Sequence, residues 1–207
     1  MICARVEDKH SFRSMSMRLF MIAALAWILS GSVSAQATMA DVLRHMPDSI
    51  VPYLTENNRL DCIDFKDSNM DAVVRNSLEG KSELKVLSGR YADFQLNESH
   101  RMQLRLLDVT EPVDGARQII CLVHTLGTDI RQSRVEFFTF RWQPLDTKRF
   151  VALPEYLFTA SLDEQQEVLT ITPSDYFDKP AMEDQKQLEI LSISLKWQND
   201  FFNKVKK

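Results

Sequence analysis

The feature that most constrains the fold is a change of hydrophobic period at Gly80. Before it, apolar residues recur at helical spacing; after it, they alternate. Leu84 and Val86 open a strand, and Ala92, Phe94 and Leu96 continue the alternation. Met102, Leu104 and Leu106 then alternate with Gln103 and Arg105 in a half-buried strand. Ile119-Ile120-Cys121-Leu122-Val123 is apolar on both faces and belongs in the middle of a sheet. From Arg134 to Trp142 the pattern is again that of a strand, with Phe138, Phe140 and Trp142 on one face and Phe137 opposite. The links Asn97-Glu98-Ser99, Asp114-Gly115 and Gly127-Thr128-Asp129 are short and polar. Parallel strands need crossovers of a dozen or more residues, so consecutive strands joined in this way form an antiparallel meander.

The segment before Gly80 reads as helices. Thr38 is an N-cap with Asp41 three residues on, Met39, Val42, Leu43 and Met46 share a face, and Pro47 ends the helix. A second helix is expected from Ser68 or Asn69 to Gly80, with Met70, Val73, Val74, Ser77 and Leu78 along one side. Past Pro144 the pattern is irregular until Val168–Thr172. A last strand sets Leu191, Ile193, Leu195 and Trp197 on one face. Helices followed by strands are the signature of an α+β fold. The expectation is a single domain over residues 36–207, its N-terminal helices packed on a mainly antiparallel sheet, with any sub-division near Pro144. The stretch from Leu145 to Gln166 is expected to leave the sheet.

Arg18, the apolar run Leu19–Leu29 and the small residues Gly31, Ser32, Ser34 and Ala35 have the anatomy of a secretory signal peptide. The run is shorter than the roughly 20 residues that span a bilayer. Cleavage fits after Ala35 or after Ala37, and Met15 or Met17 fits as an alternative start. Leaving out residues 1–35 removes four of the 25 basic and two of the 29 acidic side chains, for a net charge of −6. A mildly acidic surface argues against nucleic acid as a partner. No later run is long enough to cross a membrane as a helix.

The chemistry-bearing residues are sparse. Asp61, Asp64 and Asp67 recur every third residue, a concentration of carboxylates of the kind Ca²⁺ uses, but the spacing is not that of an EF-hand and also suits a solvated helix face. His45, His100 and His124 offer no i, i+4 zinc pair. Neither GxSxG nor a phosphate-cradling glycine motif occurs. Cys62 and Cys121 either pair in an oxidising compartment or lie buried as free thiols. Phe138, Phe140 and Trp142, with Phe137, form either a core strand or one wall of an apolar groove. No catalytic residue, cofactor or metal is assigned.

Met46-Pro47-Asp48-Ser49, Pro52-Tyr53-Leu54 and Arg59-Leu60-Asp61-Cys62-Ile63-Asp64-Phe65 carry a resemblance. So do Gly80-Lys81-Ser82-Glu83, Gln103–Leu107, Gln118–Thr125 and Ser133–Trp142. Over nearly all of the chain beyond the leader these segments resemble a family of small exported proteins of unknown function from Bacteroidales. The resemblance implies a Gram-negative envelope location, periplasmic or associated with the outer membrane, and supplies no catalytic residue. The expected function is non-enzymatic binding of an envelope protein, a glycan or an apolar ligand. A lipid carrier with a cavity behind Phe138, Phe140 and Trp142, and an exported hydrolase using His100 or His124, are the alternatives. Binding is expected first at the Asp61–Asp67 loop and the Leu145–Gln166 excursion.

Overall fold

Local capping decides where the helices form. In the computed structural model, which describes residues 37–174 and 192–205, Thr38 and Asp41 close a capping box on helix α1 (Met39–Arg44). Thr55 and Asn58 close another on α2 (Glu56–Asp67). The second helix therefore starts well before Ser68, and the expected helix up to Gly80 does not form. Asn69 adopts a positive φ of 55° just past α2, and Val73–Arg75 is a strand instead. The cap at Thr55 satisfies orphan amides that an uncapped start could not. The signal-peptide reading, Cys3 and Leu191 fall outside the described residues.

Seven strands follow one another as an antiparallel meander: β1 (Val73–Arg75), β2 (Lys81–Leu87), β3 (Tyr91–Asn97), β4 (His100–Val113), β5 (Ala116–Leu126), β6 (Gln132–Thr139) and β7 (Pro144–Leu145). Four more form a second antiparallel sheet: β8 (Phe158–Leu162), β9 (Val168–Pro173), β10 (Ile193–Gln198) and β11 (Phe201–Lys204), in the order β11-β10-β9-β8. The meander matches the sequence reading, whereas the second sheet, with β8 inside the supposed excursion, does not. Residues Ala37–Lys207 cluster as one compact unit.

Alternation along the first sheet feeds two cores. Leu84, Phe94, Leu96, Met102, Leu104, Ile120, Leu122 and Phe138 share one with Met39, Val42, Leu43 and Ile63 of the helices. On the other face Leu107, Ile119, Cys121, Val123, Val135 and Phe137 pack with Leu162, Leu169, Ile171, Leu195, Trp197 and Phe202 of the second sheet. Cys62 belongs to the first core and Cys121 to the second, and both are buried free thiols.

Polar contacts then fix the second sheet on the first. β8 is an edge strand, whose outward amides would otherwise be a template for pairing with another chain. Side chains of the first sheet take that place. The Leu162 amide donates to Gln103 Oε1 at 3.3 Å while Gln103 Nε2 donates to the Leu162 carbonyl at 3.2 Å. The Ala160 amide donates to Ser133 Oγ at 2.8 Å. Arg105 donates to the carbonyls of Asp163 and Glu164, and Trp197 Nε1 to that of Asp108.

Candidate functional site

On β8 the buried positions are Phe158, Ala160 and Leu162, so Thr159 and Ser161 point away from the core. On β9, Leu169 and Ile171 are buried and Thr170 and Thr172 point the same way as Thr159 and Ser161. Register then makes hydroxyl rows across the sheet: Thr159 opposite Thr172, and Ser161 opposite Thr170, which in turn faces Ser194. Where this hydroxyl-bearing surface meets the uncovered end of the first sheet there is a cleft of about 210 Å³. Gln95, Arg101 and Thr125 contribute from the first sheet, and Ser99, Gly127 and Arg131 from its turns. An adjoining cavity of about 370 Å³ shares Arg131, Thr159 and Thr172.

Three tied loops hold the rim. The Gly127 amide donates to the Ser99 carbonyl at 2.9 Å, joining the β5–β6 and β3–β4 turns, and Ser174 Oγ donates to the Arg131 carbonyl at the end of β9. Gly127 is required there: its φ is +108°, and a Cβ would sit 2.0 Å from the Ile130 carbonyl oxygen. Several lining groups are already engaged. Arg101 makes a two-pronged pair with Asp93 at 2.7 and 2.9 Å, and Thr125 Oγ1 is hydrogen-bonded to Ser133 Oγ at 2.8 Å. Among the described residues the hydroxyls of Ser161 and Thr170 make no hydrogen bond, and Arg131 donates through Nε to the Thr128 carbonyl at 3.4 Å but forms no ion pair.

The opposite face of the same sheet end carries a second polar group. Register sets His100 opposite Leu126 and His124 opposite Met102, so the two histidines are diagonal neighbours on the helix-side face. His100 Nε2 and His124 Nδ1 are 2.7 Å apart, and His100 Nδ1 is hydrogen-bonded to Tyr53 Oη from the segment between the helices. The imidazole centroids are 4.9 Å apart, close to the 2.7 Å gap plus the two centre-to-nitrogen radii, so the lone-pair axes run nearly head-on. A shared metal would need both lone pairs converging on a third point about 2.0–2.1 Å from each nitrogen. This pair is a hydrogen bond instead. Among the described residues no three His, Cys, Asp or Glu side chains converge on a metal-sized site. Burial lowers both histidines below their ordinary range, and His100 beside it helps bring His124 to about 4.

The residues singled out from sequence are placed elsewhere. Asp61, Asp64 and Asp67 are exposed on α2, so the expected Asp61–Asp67 loop is a helix. Phe138 and Trp142 are buried in the first core with ring centroids 5.4 Å apart, and Trp142 Nε1 donates to the Val42 carbonyl of α1 at 3.2 Å. Phe140 is half-buried against that core. β6 ends at Thr139, and Trp142, with φ of 61°, turns back onto it, so the three rings do not line one strand. Ser161 lies within the Leu145–Gln166 stretch expected to bind, whereas Gln95, Arg131 and Thr170 were missed because each is an ordinary polar residue locally. The one usable signal was Val168-Leu169-Thr170-Ile171-Thr172, whose threonines alternate with buried aliphatics.

Among the described residues no helix is long and apolar enough to cross a membrane. The chain is similar in structure to a domain of an uncharacterized protein from Porphyromonas gingivalis W83. The TM-score is 0.66 and the identity 19%, with 84% of this chain and 100% of that chain covered. At that identity the likeness shows the fold alone. No curated protein matches the sequence. The family described as "Protein of unknown function (DUF3256)" matches residues 31–170. The protein belongs to that family of unknown function.

Proposed function

We propose that this is an exported, non-enzymatic envelope protein that binds a glycan in the cleft where its two sheets meet. The observation that carries the reading is the lining of that cleft: rows of serine and threonine hydroxyls, with Ser161 and Thr170 making no hydrogen bond among the described residues, beside Arg131, which donates to the Thr128 carbonyl and forms no ion pair among them. Hydroxyls both donate and accept, which suits a ligand whose own surface alternates the two. Tied turns around the rim leave little to reorganise on binding, which lowers the cost of association. Export rests on the leader-like segment at Arg18–Ala35 and on the family resemblance.

Two other readings have less to support them. A lipid carrier needs open space behind Phe138, Phe140 and Trp142, yet Phe138 and Trp142 are packed in a core that includes Val42 and Leu43. A hydrolase using His100 or His124 needs a neighbouring carboxylate and nucleophile, but the two histidines are bonded to each other and to Tyr53. The test is titration of the ¹⁵N-labelled protein with oligosaccharides released from a Gram-negative envelope. Shifts are expected at Gln95, Thr125, Arg131, Ser161 and Thr170. Thr170→Val and Ser161→Ala should each weaken binding by roughly 2- to 12-fold, the range of one net hydrogen bond. Shifts confined to another face, or affinity indifferent to both substitutions, would remove the cleft from consideration.

A further inference from the structure

Tyr53, His100 and His124 form a continuous row between the α1–α2 segment and the first sheet. Its proton count has a limit. With both imidazoles neutral, Tyr53 Oη donates to His100 Nδ1, and His100 Nε2–H donates to His124 Nδ1. One added proton is accommodated by reversing the row. His124 Nδ1–H then donates to His100 Nε2, His100 Nδ1–H donates to Tyr53 Oη, and the tyrosine hydrogen turns outward. A second added proton has nowhere to go. Both rings would be cations, with N–H groups opposed across 2.7 Å.

We propose that this row is an acid-opened latch that holds residues 47–54 on the first sheet through Tyr53, closed while the histidine pair carries at most one extra proton and open when it carries two. The segment is also held by Val51 and Leu54 in the first core, by Arg59 donating to Asp48 and to the Leu54 carbonyl, and by the Ser77 amide donating to the Tyr53 carbonyl at 3.0 Å. Opening the row therefore frees Tyr53 and loosens the segment locally rather than detaching it. The titratable and charged groups facing the pair are Tyr53 from this segment and, from β6, Arg134 and Glu136. Those two pair with each other at 2.5 Å and act on His124 in opposite senses, Glu136 favouring its charged form and Arg134 disfavouring it. Burial of both rings pushes double protonation toward acid pH.

The test is amide exchange read by NMR from pH 7 to pH 3.5, as protection factors for residues 48–54 against those of β5. In the wild type the segment should lose about tenfold protection, the size of one net hydrogen bond, while β5 keeps its own. His124→Gln can still accept from His100 but does not titrate, so the acid loss should disappear. Tyr53→Phe removes the hydroxyl and should lower segment protection about tenfold at pH 7 already, with β5 unchanged, and it carries the test should His124→Gln not fold. Any of three results overturns the latch: segment and β5 losing protection together, an identical acid loss in His124→Gln, or wild-type protection in Tyr53→Phe at pH 7.

Discussion

Arg59 offers the sharpest test of how the helical layer is held. The residue is only 1% exposed, yet it carries a full charge. Nε donates to the Leu43 carbonyl at 3.1 Å, Nη1 to the Leu54 carbonyl and to Asp48 Oδ1, both at 2.7 Å, and Nη2 to the Met46 carbonyl. One guanidinium thus gathers the end of α1 and the start of α2, using a planar fork that a lysine lacks. Arg59→Met keeps most of the volume and removes every donor. The Leu43 carbonyl keeps the Met46 amide as a donor at 3.3 Å, while those of Met46 and Leu54 lose the partner that Arg59 supplies. At about 1–3 kcal/mol for each buried unsatisfied group, offset in part by no longer burying a charge, the expected loss is about 3 kcal/mol. Urea unfolding reads it as a midpoint lowered by roughly 1–2 M with an unchanged slope. Arg59→Lys should recover less than half of that loss. Asp48→Ala should cost under about 1 kcal/mol, because the Asp48 carboxylate is 58% exposed. An Arg59→Met variant within about 1 kcal/mol of wild type would refute the reasoning, since the carbonyls would then be satisfied without the guanidinium.

Other substitutions probe the second sheet, the cleft rim and the histidine pair. Gln103→Leu leaves the Leu162 amide and carbonyl of edge strand β8 without their partner, so the melting temperature should fall by roughly 4–8 °C, corresponding to about 2 kcal/mol. An unchanged melt would show that β8 is held by packing alone. Gly127→Ala places a Cβ against the Ile130 carbonyl at positive φ, and should cost at least about 2 kcal/mol in urea unfolding and reshape the cleft rim. Wild-type stability and unshifted Ser99 and Arg131 resonances would contradict this. His124, lowered to about 4 by burial and by His100, binds fewer protons folded than unfolded between its ordinary value and that one. Its contribution is therefore present at neutral pH and lost as pH falls, by up to about 3 kcal/mol near pH 4. Urea unfolding at pH 7 and pH 4 should show His124→Gln losing less than wild type. An equal loss would assign the acid sensitivity elsewhere.

Local chemistry alone was enough for much of the chain. Thr38 with Asp41 predicted α1, Pro47 its end, and alternation from Leu84 to Phe138 the antiparallel meander. It failed where local signals were weak or competing. The Thr55–Asn58 box outweighed the helical spacing of Met70–Leu78, which tertiary pairing with β2 turned into strand β1. Strand β11 follows a two-residue turn, Asn199-Asp200, with both φ values positive, a hairpin signal that the short run after it obscured.

The candidate site shows the division most plainly. The apolar-polar alternation in the sequence decided that His100 and His124 share a face with Met102 and Leu122, because side chains in a strand reverse direction at every residue. Whether they meet depended on register. Pairing outward from Val113 and Ala116 would set Asp108 opposite Cys121, but an irregularity between Asp108 and Val113 sets it opposite Gln118 instead. That three-residue slip brings His100 diagonal to His124 and within reach of Tyr53. Likewise, alternation turned Thr170 and Thr172 away from the core, but only the seating of β8 across Gln103 and Ser133 made them the wall of a cleft. Period is a property of the backbone and can be read from neighbours. Register and sheet-on-sheet docking are set by contacts between residues far apart in the chain, and no local pattern encodes them.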